Sequence, residues 1–378
     1  MPQELIAKSV RAAKALLTRK VNIECDRVPH EFFDVPLKKI MNWILVEASS
    51  LVRPARPLGW PTHLQIEPSS FCNIRCALCP VTEGLNRPSG HMNEELFKRL
   101  IDECGEYLFL ILFWDWGEPF LNPAAYKMIS YAKERNIKIM SSSNGHIFSR
   151  KSQAEKLVLS GMDSLVFAVD GITQETYEKY RQGGDLQAVI RGIKNVVDMK
   201  RALKSPSPFI VLRFIAMRHN EHEIPKVKDF ARSLGVDALT FRTLYPYDDG
   251  EYCSTKLNGL EFVPQNPSYQ RFKIDPEGGS RIRRRRNPCK ALWNNPAIHW
   301  NGKVCPCTFD PHEQYLLGDL TKQSFREIWY GNSYRRLRHG FRRNYQDVPL
   351  CRECTNAFEG GTCSTEDIVE AYFFTNAQ

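Results

Sequence analysis

The chain has no run of 18 uncharged apolar residues, so no stretch reads as a transmembrane span. Its first residues, Met1-Pro2-Gln3-Glu4-Leu5, lack a basic flank leading into an apolar core, so no export signal is expected. Without export, the 12 cysteines are not expected to form a disulfide framework, and metal ligation is the use expected of them in a cytoplasmic protein. Compositional extremes are missing as well. Hydrophobic residues make up 42% and charged residues 25% of the 378, as in ordinary soluble proteins, which allows one large domain or two modest ones with buried cores. The formal net charge of +9 is densest at Arg281-Ile282-Arg283-Arg284-Arg285-Arg286. That run lacks interleaved aromatics and any known binding module, so it reads as a solvated loop and nucleic acid is not an expected partner.

What is present is a concentration of cysteine. In Phe71-Cys72-Asn73-Ile74-Arg75-Cys76-Ala77-Leu78-Cys79-Pro80, three residues and then two separate Cys72, Cys76 and Cys79. A tight loop can aim three such thiolates at one point, and soft sulfur ligands select zinc, copper(I) or iron–sulfur clusters. Three are one short of a closed structural zinc site, while a cluster held by three would leave one iron open to another molecule. A partial zinc site or buried thiols is the competing reading. His63–Glu67 alternates apolar and polar residues, which puts the loop at the end of a strand.

Residues 1–60 read as a helical extension. Leu5, Ile6, Val10, Ala13, Leu16 and Leu17 recur near helical spacing among Lys and Arg, and a second helix is expected from about Leu37 to Val52. Such basic amphipathic helices are expected to pack on their own domain; peripheral contact with a membrane surface is the alternative. Arg53-Pro54-Ala55-Arg56-Pro57 breaks the pattern before a core at 61–250. There the expected strands are His63–Glu67, Leu108–Trp114, Ile137–Ser142, Ser164–Val169, Phe209–Ala216 and Ala238–Thr243. They alternate with amphipathic segments Asn93–Cys104, Pro123–Arg135, Ser152–Ser160, Leu186–Ala202 and Ile224–Leu234. Six βα units argue for a parallel sheet with helices outside it, and chemistry at the strands' C-terminal ends. Residues 251–288 read as a linker and 289–378 as a second, cysteine-rich domain.

Cys-x3-Cys-x2-Cys after a first strand resembles the signature of the radical S-adenosylmethionine (SAM) superfamily. The resemblance implies an α/β fold, a partial (βα)6 TIM-like barrel. It implies a four-iron–four-sulfur cluster on the catalytic cysteines Cys72, Cys76 and Cys79, with SAM on the fourth iron. Gly117-Glu118-Pro119 resembles the family's motif for the SAM amino group: glycine allows close backbone approach, proline stiffens the turn and Glu118 supplies a carboxylate. Ser143, Asn144 and Asp170, at the ends of the third and fourth strands, are assigned by the same resemblance to SAM or substrate; helix capping is their plain alternative. Arg213, a charge on an apolar strand, needs a partner, and a carboxylate of SAM or substrate is the one expected. Met217 could line the adenine pocket or fill the core.

Downstream, Cys289-x12-Gly302-x4-Cys307, a gap, then Cys351-x2-Cys354 resembles the SPASM and shorter Twitch domains of that superfamily, with a zinc ribbon as the rival reading. Only six cysteines occur in this region where a full SPASM domain uses seven. One auxiliary four-iron–four-sulfur cluster is therefore expected, on Cys289, Cys307, Cys351 and Cys354, with Cys305 and Cys363 as substitutes.

The function this implies is a radical SAM oxidoreductase. A 5′-deoxyadenosyl radical would take hydrogen from a substrate carbon, and the auxiliary cluster would accept the electron left behind. The expected substrate is a small polyol or sugar, and a flavodoxin or ferredoxin the electron donor. The alternatives are a peptide maturase acting on a ribosomal precursor and a non-catalytic zinc protein. His146, Arg213, Tyr245 and Asp248 are the candidate general bases.

Overall fold

The computed structural model describes residues 2–244, 259–270, 273–274, 281–282, 289–352, 354 and 368–374. Helix α1 (Pro2–Thr18), strands β1 (Val21–Cys25) and β2 (Val28–Phe32) and helix α2 (Leu37–Val52) precede the core. The β1–β2 hairpin is a departure from the helical reading of this extension. Its strands alternate inward residues (Val21, Ile23; Val28, His30, Phe32) with exposed ones. They join through Asp26 and Arg27, whose φ angles of 52° and 62° supply the left-handed backbone that a two-residue hairpin turn needs.

The core follows as β3 (His63–Ile66), α3 (Glu94–Cys104), β4 (Leu110–Leu112), α4 (Ala125–Lys133), β5 (Lys138–Ser143), α5 (Lys151–Leu159), β6 (Ser164–Ala168), α6 (Gln174–Tyr180), α7 (Leu186–Ala202), β7 (Phe209–Ala216), α8 (Ile224–Leu234) and β8 (Ala238–Thr243). Strands β3 to β8 lie side by side in chain order, each parallel to the next. Their termini agree with the expected strands to within two residues at each end. Among the described residues the sheet does not close on itself. On one side β3 pairs in parallel with β9 (Ala297–Ile298), which continues antiparallel into β10 (Lys303–Cys305) and β11 (Gly318–Asp319). On the other side β8 pairs antiparallel with β12 (Ile368–Phe373), an element the sequence reading did not include.

Successive strand residues face opposite sides, and both sides here are apolar, as in sheets covered on both faces. Ile111, Ile139, Leu165, Leu212 and Leu239 pack with the helices in the main core. Leu110, Leu112, Met140, Val166 and Val211 form a second layer, and Val28 of the N-terminal hairpin packs into it. The hairpin thus adds a residue to that inner layer, while Val21, Ile23 and Phe32 pack with Ile40 and Trp43 in a cluster of their own. The C-terminal domain is seated by two indole donors, Trp293 Nε1 to the Pro54 carbonyl (2.9 Å) and Trp329 Nε1 to that of Gly59 (3.0 Å). With the strands parallel, every loop leaving a C-terminal tip emerges along one edge.

Candidate active site

Past the tip of β3, the chain enters the first cysteine loop. Cys72, Cys76 and Cys79 pack with Ile74, Tyr180, Met217, Leu244 and Val263 in one apolar cluster. Burial, then the nearby Glu118 carboxylate, pushes the Cys72 thiol up to about 11; burial and then the neighbouring Cys76 push Cys79 up to about 12. Thiols in such a setting keep their protons until a metal displaces them. Among the described residues no three His, Cys, Asp or Glu side chains are gathered around the position of a single ion.

Two side chains reach these sulfurs from distant parts of the sequence. Asn144 Nδ2 lies 3.8 Å from Cys72 Sγ and donates to Asn73 Oδ1 at 2.8 Å. Arg181 Nη1 lies 3.3 Å from Cys76 Sγ, placed there by the short antiparallel pairing of Arg75–Cys76 with Arg181–Gln182. Donors of this kind stabilise negative charge on sulfur. Arg181 was not anticipated, because 105 residues separate it from Cys76.

The Gly-Glu-Pro motif is bonded to the stem of the cysteine loop. The Glu118 amide donates to the Phe71 carbonyl at 2.7 Å. Gly117, at φ 105°, lies so close that a Cβ would sit 2.4 Å from the Ser69 carbonyl oxygen, which explains the glycine. Pro119 opens a short 3-10 turn that Glu118 caps. The buried Glu118 carboxylate accepts from Ser143 Oγ (2.9 Å) and the Asn144 amide (2.8 Å), so the motif and the tip of β5 form one unit. Burial raises the Glu118 carboxyl to about 7. A buried carboxylate at the brink of protonation is a ready acceptor for an amino group, and this fits the amino end of SAM.

The other expected SAM contacts are partly committed elsewhere. Asp170 is ion-paired to Arg181 at 2.6 Å and accepts from the Ile215 amide at 2.7 Å, so it orients the guanidinium beside Cys76. Arg213 is a correction. Its buried guanidinium pairs with Asp26 in the turn of the N-terminal hairpin, so its carboxylate comes from the chain itself. Met217 is buried with the cysteines. Both ring nitrogens of His146 are engaged, Nδ1 with Asn144 Oδ1 (3.0 Å) and Nε2 with the Asp185 amide (2.9 Å), which removes it as a free base. Tyr245 and Asp248 lie outside the described residues.

The second site forms where the C-terminal helices α9 (Phe325–Trp329) and α10 (Asn332–Asn344) precede a short turn at Pro349–Arg352. Cys289, Cys307 and Cys351 pack with Leu292, Trp293, Phe341, Val348 and Leu350. Burial, then Cys354, Cys289 and Cys351, raises the Cys307 thiol well above its ordinary value, so the four sulfurs share one neighbourhood. These are the four expected ligands, and they fit a second cluster. Cys305 stands apart. It is buried beside His299, its Sγ 3.9 Å from Nδ1. Cys363 lies outside the described residues.

Residues 66–244 match the radical SAM superfamily model, and residues 289–355 match SPASM, an iron–sulfur cluster-binding domain. The chain carries a radical SAM domain followed by a SPASM domain. It is an enzyme with a C-terminal SPASM domain, and its cofactors are SAM and four-iron–four-sulfur clusters. The iron–sulfur match overturns the zinc-protein reading. A tungsten-containing aldehyde ferredoxin oxidoreductase cofactor-modifying protein of Pyrococcus furiosus is 24% identical over 321 residues, 78% of this chain and 87% of the relative. Mycofactocin maturase of Mycobacterium ulcerans is 24% identical over 324 residues, 82% of this chain and 80% of the relative. Among solved structures, Streptococcus suis SuiB bound to S-adenosylmethionine superposes with a TM-score of 0.58 at 15% identity, over 94% of this chain and 83% of that one. That likeness is one of fold. Among the described residues no helix is long and apolar enough to cross a membrane.

Proposed function

We propose that this radical SAM enzyme oxidises its substrate by two electrons, and that a small polyol or sugar is the substrate. Cys72, Cys76 and Cys79 would hold the SAM-binding cluster, with Glu118, Ser143 and Asn144 shaping the seat for SAM. Cys289, Cys307, Cys351 and Cys354 would hold one auxiliary cluster. When bound, the first cluster and SAM supply a carbon-centred radical able to take hydrogen from an unactivated carbon. The chain's own part is to bind and orient. Arg181 and Asn144 hold donors to the sulfurs, and Gly117 lets the motif backbone lie against the loop stem.

The observation that carries an oxidation is the presence of two separate thiol sites in one chain, joined by a single strand-tip segment. Trp116 Nε1 donates to the carbonyl of Thr308, the residue after Cys307 (3.1 Å), while Glu118, two residues on, donates to the residue before Cys72. A second cluster so joined is an electron acceptor at hand for a substrate that has lost a hydrogen atom. The reaction belongs in the cytoplasm, where a flavodoxin or ferredoxin can supply the starting electron.

A second reading, maturation of a peptide, is favoured by the relationship to mycofactocin maturase, which extends over four fifths of both chains. The test is anaerobic turnover with perdeuterated cyclitols and aminosugars and, in parallel, deuterated peptides. Deuterium appearing in 5′-deoxyadenosine with a polyol, together with a product two hydrogens lighter, supports the first reading. Transfer from peptides alone replaces it with the second.

A further inference from the structure

A buried polar cluster occupies the place where the tips of β3, β4 and β9 meet. Glu67 follows β3, Asp115 follows β4, His299 follows β9, and Glu313 comes from the loop beyond Cys307. The His299 ring is fully buried, with Nδ1 3.1 Å from Glu313 Oε1 and Nε2 3.8 Å from Asp115 Oδ2. The Asp115 side chain is 1% exposed and that of Glu313 is 10% exposed. Asp115 Oδ1 accepts from Thr308 Oγ1, whereas Asp115 Oδ2 and His299 Nε2 have no hydrogen-bond partner. Arg87 closes the far side, donating to both Glu67 oxygens (3.0 and 2.5 Å) and to the Pro311 carbonyl (2.6 Å), and lies 3.8 Å from Glu313.

Charge bookkeeping shows what this arrangement holds. Two carboxylates, Glu67 and Glu313, face one guanidinium, so a proton on His299 makes the group neutral and leaves Asp115 as the variable member. Burial raises the Asp115 carboxyl to about 7, against the pull of His299 and Arg87. Burial works to lower His299, but its bond to Glu313 and the nearby Glu67 and Asp115 carry it upward overall. Cys305, close to Nδ1, is held well above its ordinary range by its own burial and stays a thiol. An imidazole between two carboxylates can accept a proton at one nitrogen and release one from the other.

We propose that Asp115, His299 and Glu313 form a proton exit, in which Asp115 Oδ2 takes the proton that the substrate loses on oxidation and the imidazole passes it to Glu313 and solvent. This rests on the two-electron reading above. For an H–C–O–H unit the balance closes: the C–H and O–H bonds break and a C=O double bond forms. One hydrogen atom goes to the abstracting radical, one electron to the C-terminal iron–sulfur cluster and one proton to Asp115. The half-buried Trp114 and Trp116 flank Asp115 in the chain, and Thr308, bonded to its carboxylate, follows Cys307 directly. The proton acceptor and the thiol site of the electron acceptor are therefore linked through one residue, Thr308. Neither His146 nor Arg213, two of the bases expected from the sequence, belongs to this group.

The test is infrared spectroscopy of the reconstituted holoenzyme across pH 5 to 9, which needs no substrate. The wild-type minus Asp115→Asn difference should contain a carboxylic-acid C=O band that fades around pH 7, apart from the Glu118 band that both proteins share, and its midpoint should move upward in His299→Gln. A difference spectrum with no such band, or a midpoint unmoved in His299→Gln, overturns the exit. Should Asp115→Asn not fold, Thr308→Val keeps the carboxylate and removes a donor to it: the midpoint then rises, and an unchanged midpoint is again fatal. SAM cleavage by wild type in the same preparation tests the radical reading separately, so the two failures cannot be confused.

Discussion

The amide of Glu118 is hydrogen-bonded at 2.7 Å to the carbonyl of Phe71, so the carboxylate proposed to seat SAM hangs from the residue that precedes Cys72. Motifs 46 residues apart in the chain therefore move as one body, and substitutions in either are felt in both.

Glu118 should make SAM binding depend on pH. Its carboxyl is raised to about 7 from an ordinary 4.5, and an amino group needs the ionised form as acceptor. Affinity, measured by anaerobic equilibrium dialysis, should hold above pH 7, fall below it, and drop at least about tenfold throughout in Glu118→Gln. The sign for stability is the reverse. A carboxyl raised by folding favours the folded state most below its unfolded value, and that contribution is lost as pH rises through about 7. Glu118→Gln should remove this slope from chemical denaturation of the cofactor-free chain.

Gly117→Ala should destabilise the fold by at least about 2 kcal/mol, because φ is 105° and the new Cβ would meet the Ser69 carbonyl oxygen. Calorimetry is the check, and iron retention should fall with it, since the displaced backbone is the stem of the cysteine loop.

Arg181→Met should have two separate effects. It strands the fully buried Asp170 carboxylate, at a cost of about 3 kcal/mol. It also removes a cation beside Cys76, so the potential of the bound cluster should move negative, as followed by EPR in a redox titration.

Arg213 and Asp26 should behave as a structural pair. Arg213→Met or Asp26→Leu alone should cost about 3–5 kcal/mol, and the double variant much less than the sum, because neither charge is then left unpaired. SAM affinity in the double variant should match wild type. A loss of affinity without a loss of stability would restore Arg213 to the SAM site.

The parallel core was legible because its strands are short apolar runs bounded by turn residues, and because each chemical motif falls at a strand tip. The N-terminal hairpin was harder to see. Its alternation is present in Val21, Ile23, Val28 and Phe32, but its turn is Asp26-Arg27, without the glycine that usually marks such a turn. Arg213 was misdirected for the same reason, since its partner sits in that unseen turn. The thiolate spacings identified both cysteine groups, whereas Arg181 and the Asp115–His299 pair, 184 residues apart, depend on strand order, which local patterns do not carry.

The central claim is tested most directly by iron content and 5′-deoxyadenosine formation after anaerobic reconstitution, in wild type and in the Cys72/Cys76/Cys79→Ala triple variant. The expected result is about eight irons per chain falling to about four, with SAM cleavage abolished. Cleavage that persists in the triple variant, or a wild type that takes up no iron, would contradict it.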